Sequence, residues 1–258
     1  MRMLITGLLA LLPLLGHAET AEEKGFAIAV EVDARDTGYI NSTAEMKMTL
    51  TNRQGQSSIR EMRSKTLEVD GDGDKSLMIF DRPRDVKGTA MLTFTHKEGA
   101  DDQWLFLPAL KRVKRIASNN KSGPFMGSEF AYEDLSSQEV EKYTYQYLRD
   151  DSINNVPVFV IERYPTDKKS GYTRQIVWTH QTEYRAEKIE YFDRKNSALK
   201  TLIFSDYKQY LDQYWRAHTM SMTNHLTGKS TVLEFSDYKF REDLNDRDFD
   251  KSSLKRAK

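Results

Sequence analysis

The chain has 258 residues and no cysteine, with 39 lysines and arginines against 39 aspartates and glutamates. Without cysteine no disulfide framework can hold it, so an ordinary apolar core must supply the stability. The balanced charge removes any global pull toward nucleic acid or an anionic membrane, leaving only local patches for electrostatic partners.

Arg2 precedes an apolar run over 4–15, broken by Pro13 and closed by Gly16-His17-Ala18, which puts small residues at the minus-three and minus-one positions of a cleavage site. This predicts a removable signal peptide over 1–18, export across the inner membrane, and a single domain over 19–258. A membrane anchor would need roughly 20 apolar residues, more than this run supplies.

Residues 21–35 predict an amphipathic helix with Phe26, Val30 and Ala34 on its apolar side and Glu22 and Glu23 at the positive end of its dipole. From Thr43 the period changes to two. Met46, Met48 and Leu50 alternate with Glu45, Lys47 and Thr49, the pattern of a strand with one buried face. A second strand is predicted over 58–69. The run Asp70-Gly71-Asp72-Gly73-Asp74 offers alternating carboxylates, but Lys75 stands where a calcium loop wants glycine, so it is read as a hairpin turn. Short strands follow over 77–80, 89–95 and 103–107, each rich in β-branched, aromatic or other apolar residues.

The stretch 103–135 mixes three textures. Trp104-Leu105-Phe106-Leu107 reads as a strand stopped by Pro108. Lys111, Arg112, Lys114 and Arg115 surround Val113 and are followed by a turn-forming segment over 118–124, which predicts a charged loop. Phe125 and Met126 then precede a predicted short helix, capped by Ser128 and laid over the sheet, in which Ala131 and Leu135 share a side. Further strands are predicted over 143–147, 156–161, 174–179, 185–192, 199–204 and 218–224. Regular strands with short turns and little helix between them argue for an antiparallel meander, either a sandwich or a curved barrel-like sheet. Phe204-Ser205-Asp206-Tyr207 recurs as Phe235-Ser236-Asp237-Tyr238, which predicts two strand ends built alike. The tail, with Phe249 and Leu254, predicts a terminal helix or cap.

Catalytic chemistry finds little support. The chain lacks a nucleophile elbow, a zinc-protease motif and a phosphate loop, and its five histidines are scattered. Neither a metal nor a cofactor is expected, and the reading is of a protein that is not an enzyme. The basic cluster suits phosphates in principle, but export makes nucleic acid a poor partner. Anionic headgroups or an acidic protein surface are the better targets, beside the plain alternative of a solvated loop. Methionines and tyrosines on sheet faces give adaptable walls suited to promiscuous apolar sites.

The segments QWLFLPALKRVKRI (103–116), SGPFMGSEFAYEDL (122–135) and NHLTGKST (224–231), with Tyr214-Trp215-Arg216, resemble the outer membrane lipoprotein-sorting protein family, the LolA-like group of Gram-negative bacteria. The likeness runs from about residue 21 to 254. It implies a mainly β fold with a few helices, a curved, unclosed antiparallel β-barrel with a helical lid over an apolar cavity. It also implies a periplasmic carrier of lipid or lipid-modified protein, in several members alongside an inner-membrane exporter of the resistance-nodulation-division (RND) type, with transient contact to membrane surfaces. Cargo does not carry over, because the chain resembles the broader branch more than the dedicated lipoprotein carrier. On this reading the candidate cavity or lid residues are Met46, Met48, Leu50, Leu92, Phe94, Trp104, Phe106, Phe125, Met126, Phe130 and Trp178, and Lys111, Arg112, Lys114 and Arg115 meet a partner or headgroup. An acyl chain costs about 0.8 kcal/mol per methylene in water, so such cargo needs a shield. Two alternatives stand beside the carrier: a sensor or adaptor that recognises acylated protein without moving it, and a hydrolase, which two buried carboxylates facing one cavity would favour.

Overall fold

A computed structural model describes residues 18–256; the expected signal peptide over 1–18 lies, but for Ala18, outside them. The first helix, α1 (Ala21–Asp36), starts at a reciprocal capping box in which Thr20 accepts from the Glu23 backbone and the Glu23 carboxylate accepts from that of Thr20. Strands β1 (Asn41–Thr51), β2 (Ser57–Leu67), β3 (Lys75–Arg82), β4 (Ala90–Phe94), β5 (Asp102–Leu107) and β6 (Arg112–Ile116) form one antiparallel meander. After an irregular crossing segment, β7 (Tyr143–Ile153), β8 (Val156–Pro165), β9 (Tyr172–His180), β10 (Ala186–Asp193), β11 (Ala198–Tyr210), β12 (Tyr214–Asn224) and β13 (Ser230–Phe240) form a second. A single turn and the short helix α2 (Lys251–Arg256) close the described chain.

The two meanders join where β1 pairs with β13, giving one sheet in the order β6-β5-β4-β3-β2-β1-β13-β12-β11-β10-β9-β8-β7. Strands β6 and β7 are its edges, and they do not pair with each other. Thirteen strands at about 4.8 Å spacing would span roughly 60 Å if laid flat. Instead one contiguous core draws a side chain from every strand, among them Met48, Met62, Phe80, Leu105, Ile116, Tyr145, Ile161, Ile189, Met222 and Leu233. Only a sheet curled onto one face can bring these together. The fold is therefore mainly β, with an unclosed, barrel-like antiparallel sheet, as the family resemblance implies.

Strands β3 to β5 are apolar on both faces. Met78, Phe80, Met91 and Leu105 enter the main core, whereas Leu77, Ile79, Leu92 and Trp104 form a second cluster on the opposite face beneath Phe249 and Leu254. The tail is thus the cap that the sequence predicts, and it covers the outside of the sheet.

Helix α1 turns a different side inward from the one its spacing suggested. Gly25, Ile28 and Ala29 are buried, while Phe26 and Val30 are 51% and 42% exposed. The reason is backbone approach. A Cβ on Gly25 would stand 2.8 Å from the Tyr147 nitrogen and 2.9 Å from the Gln146 carbonyl carbon, so the helix lies directly on β7 and only glycine fits at the contact. Lys24 then lies 3.6 Å from the Tyr147 ring centre. Gly25→Ala is expected to lift the helix from β7 and to destabilise the protein by about 1–3 kcal/mol. A lowered Tm, with faster amide exchange over residues 21–36 than elsewhere, is the expected readout.

Candidate functional site

Between α1 and the inner face of the sheet lies a cavity of about 760 Å³, within the range of small-molecule sites. Its apolar walls come from Ala29 and Val32 of α1 and from Tyr145, Ile161, Val177, Ala186, Ile189 and Phe204 on β7 to β11. Alternation puts these strand residues inward, and on β10 the register irregularity between Ala186 and Lys188 brings both Ala186 and Ile189 to the same side. The other end is polar, built from the loop over 68–74, from residues 136–139 and from residues 37–40 between α1 and β1.

That end is a chain of buried polar contacts. Tyr39 donates to Asp74 Oδ2 at 3.0 Å, and Ser137 donates to the same oxygen at 3.3 Å. Burial pushes the Asp74 carboxyl up to about 6, although both hydrogen bonds pull it down. Burial, then the neighbouring Asp74 charge, pushes Glu139 up to about 7. Burial and the Asp74 charge also hold the Tyr39 phenol well above its ordinary value. The acidic run at 70–74 is therefore more than a turn. It supplies one wall of the cavity, and sequence reading missed this because a turn needs the same residue types.

A second cavity of about 420 Å³ adjoins the first and shares Val32, Asp36, Tyr39, Asp74, Ala186 and Phe204 with it. Arg216 stands here, paired with Asp36 and set 5.0 Å from the Tyr39 ring centre. The repeated Phe-Ser-Asp-Tyr has its structural meaning at this site. It does not mark strand ends: both copies lie within strands, and Asp206 and Asp237 both take left-handed backbone, with φ of 55° and 50°. Each delivers the next residue, Tyr207 or Tyr238, to the same cavity, where burial raises both phenols.

The segment between β6 and β7 is not the predicted helix. It makes single turns at Phe125–Gly127 and Tyr132–Leu135, joined by extended backbone in which Pro124 bridges Ala131. Met126 and Gly127 both have positive φ, which no α-helix contains. Ser128 caps nothing; it bonds within the turn to Phe130. Phe125 and Phe130 are 0% and 1% exposed, so this part of the segment fills the core, and only its end at 136–140 reaches the cavity wall. Polar anchors fix it. Lys200 Nζ lies 2.6 Å from Asp134 Oδ2, the two side chains being 4% and 2% exposed, and Tyr172 donates to Asp134 Oδ1 at 2.7 Å. Glu133 accepts from Ser170 and from the Gly171 backbone, each at 2.8 Å. The expected covering helix is a pinned plug, and the element that covers the cavity is α1.

The expected lining residues therefore separate. Met46, Met48, Phe125 and Phe130 sit in the main core, and Leu50 and Met126 pack against it. Leu92, Phe94, Trp104 and Phe106 belong to the outer cluster under α2. Trp178 joins Val158 and Val160 in a third cluster. None of them lines the helix–sheet cavity. The parity assigned to Trp104 and Trp178 is corrected for one physical reason: on strands apolar on both faces, alternation does not tell inside from outside. The basic cluster is likewise not a loop. Lys111 is a left-handed turn residue, and Arg112, Lys114 and Arg115 are exposed on edge strand β6, with Arg115 paired to Asp102. Charges on an edge strand discourage pairing with another chain. Among the described residues no cluster of potential metal ligands occurs.

A curled, unclosed sheet with a helix-covered cavity defines the class of LolA-like carrier folds. A family model described as an uncharacterized protein matches residues 72–256. A crystal structure of an outer membrane lipoprotein-sorting protein domain from Vibrio parahaemolyticus is 62% identical, with 91% of this chain and 99% of that one covered and a TM-score of 0.89. A DUF1329 family protein from Desulfovibrio piger is 29% identical over 91% and 99% of the two chains, with a TM-score of 0.86. A LolA superfamily protein from Nitrosomonas europaea, 22% identical over 92% and 100%, shares the fold with a TM-score of 0.72. No curated protein matches. The chain belongs to the outer membrane lipoprotein-sorting protein family of LolA-like proteins.

Two outcomes follow from the buried charges. Lys200→Met should cost about 3–5 kcal/mol by leaving Asp134 buried without its cation, and Lys200→Met with Asp134→Leu should recover much of it; chemical denaturation of the double-mutant cycle measures this. Asp74 and Glu139 bind protons more tightly folded than unfolded, so the stability they contribute is present at low pH and is lost as pH rises through about 6 and 7. Thermal denaturation between about pH 5 and pH 8 should show Tm falling with pH, with a shallower fall in Glu139→Gln.

Proposed function

We propose that the protein is a non-enzymatic periplasmic carrier that shields acyl chains in the cavity between α1 and the sheet and passes them between envelope components. The observation that supports this most directly is the cavity itself, about 760 Å³ with its apolar walls on β7 to β11, roofed by one helix. Each methylene moved from water to such walls gains about 0.8 kcal/mol, and transfer then needs only that the cover shift. Helix α1 suits that role. It rests on β7 through Gly25, and at its far end Arg35 donates to the Thr182 carbonyl at 2.5 Å and stacks 4.4 Å from the Tyr184 ring centre. The signal peptide over 1–18 and the single binding domain over 19–258 are part of this proposal. Among the described residues no helix is long and apolar enough to cross a membrane.

The related Vibrio parahaemolyticus domain is described as lipoprotein-sorting, which favours lipid or acylated protein as cargo. The exposed cations Lys111, in the turn before β6, and Arg112, Lys114 and Arg115 on β6 are the proposed contact for a headgroup, a donor protein or an inner-membrane exporter of the RND type.

A second reading has one observation in its favour. Asp74 and Glu139 are two carboxyls on one cavity, both held in a range useful for acid–base chemistry. A hydrolase built on them would lose turnover in Glu139→Gln, whereas a carrier would still deliver chains.

Ala186→Trp should fill the cavity without touching the plug. Binding of a fluorescent acyl probe is expected to fall at least about tenfold while the Tm holds. Transfer of labelled lipid between donor and acceptor vesicles should slow in parallel. Unchanged binding in the folded variant would count against the cavity as the acyl site, and binding without delivery would favour a sensor.

A further inference from the structure

Resting on the carrier reading, we infer that this cavity selects an alkyl chain that ends in an ammonium group, with the cation seated against Glu139 at the polar end. The walls and the polar end are continuous, so a chain lying along Ile161 and Ile189 would bring its head to this carboxylate. The lining there carries seven carboxylates against two cations, Lys97 and Arg163. Most of these carboxylates are already engaged. Asp36 holds Arg216, Glu68 accepts from the Gly38 and Ile40 backbone, Asp72 holds His96, and Asp74 accepts from Tyr39 and Ser137.

Among the described residues Asp33 and Asp70 likewise have no donor but are half-buried and exposed, and Glu139 differs from them in its burial. It is 6% exposed and lines the cavity, yet among the described residues no donor reaches its carboxylate. Its charged neighbours are Asp74 and Asp33, of like sign, with Lys142 and Lys97 at the side, and Lys142 is already paired with Asp101. Its oxygens are not sealed off, yet burial of the side chain with no donor still disfavours the charged form. The loop leaves room for it: a Cβ on Gly73 would stand 2.8 Å from Glu139 Oε1. The surroundings thus hold an acceptor open toward an apolar cavity, and a cationic head supplies what it lacks. A sulfate or phosphate monoester in that place would meet carboxylates, and a neutral hydroxyl would satisfy one hydrogen bond and no charge. The rise of the Glu139 carboxyl to about 7 agrees with an acceptor that has no partner.

The charged groups facing this carboxylate are Asp33 from α1, Asp74 from the loop after β2, Lys97 after β4, and Lys142 beside it, with Arg163 of β8 across the cavity. Protonation of Glu139 removes the charge that attracts the head, so affinity for an ammonium should rise with pH while affinity for a sulfate should not.

The test is competition of C12 chains, below their micelle concentrations, against a fluorescent acyl probe on the whole mature protein, using dodecylammonium, dodecyl sulfate and dodecanol. At about pH 8 the ammonium should bind roughly ten- to a hundredfold more tightly than the sulfate. That preference should shrink toward parity at about pH 5 and in Glu139→Gln. Lysophosphatidylethanolamine against lysophosphatidylglycerol then distinguishes the source. A preference for the first assigns a lipid headgroup, and equal binding of the two beside a strong dodecylammonium preference assigns a simple cationic amphiphile. Equal binding of ammonium and sulfate at about pH 8, or a preference that survives in Glu139→Gln, would overturn the inference and leave the carrier reading standing. If Glu139→Gln does not fold, a wild-type preference undiminished at the lower pH overturns it equally. Failure of every chain to displace the probe would overturn both.

Discussion

A thirteen-stranded sheet that curls onto a single face without closing encloses more space than its own inward side chains can fill. Most of the architecture answers this one constraint. The sheet supplies a core residue from each strand, but its edges β6 and β7 stay apart, and the interior has to be completed by chain that belongs to no strand. Two pieces do so, and they do it differently. The segment from 117 to 142 enters the interior and fills it with Phe125 and Phe130. Helix α1 lies across the rest and leaves the space beneath it open.

The difference in how the two pieces are held gives the site its character. The plug is secured by the buried Lys200–Asp134 pair, by Tyr172 on the second oxygen of Asp134, and by Glu133 on the backbone of Gly171. Such contacts are lost together if any member moves, because each would leave a buried charge unpaired. Helix α1 instead meets the sheet through Gly25, the buried Ile28 and Ala29, cation–aromatic contacts of Lys24 and Arg35, a hydrogen bond from Arg35 and an ion pair between Asp36 and Arg216 of β12. Its charge pair with the sheet, Asp36 with Arg216, has the aspartate side chain 59% exposed, unlike the fully enclosed Lys200–Asp134 pair.

The polar end of the cavity departs most from a plain lipid pocket. Tyr39, Asp74, Ser137 and Glu139 bring the helix exit, the loop over 68–74 and the end of the plug to one place, close to Asp36 and Arg216. Burying several carboxylates there costs stability near neutral pH, a cost that core packing alone would not retain. The apolar walls and this polar end are parts of one cavity.

The sequence by itself determined the strand succession apart from β6, which reads as a charged loop, together with the terminal cap, the first helix and, through segments such as QWLFLPALKRVKRI, the family and its unclosed sheet. These are legible because alternation, turn residues and caps are local, and because a long, unusual segment is specific. It did not determine which face of each strand looks inward. Leu92, Trp104 and Trp178 lie on strands apolar on both sides, and only the curl of the sheet and the placement of Phe249 and Leu254 sorted them to the outside. Nor could local spacing reveal that Met126 and Gly127 would turn a helical pattern into a plug, or that Gly25 would rotate α1 to present Ile28 and Ala29 in place of Phe26 and Val30. The cavity, its acidic end and the isolated Glu139 arise from residues over a hundred positions apart. Contacts of that range are set by how the sheet closes on itself, and no periodicity within a segment encodes them.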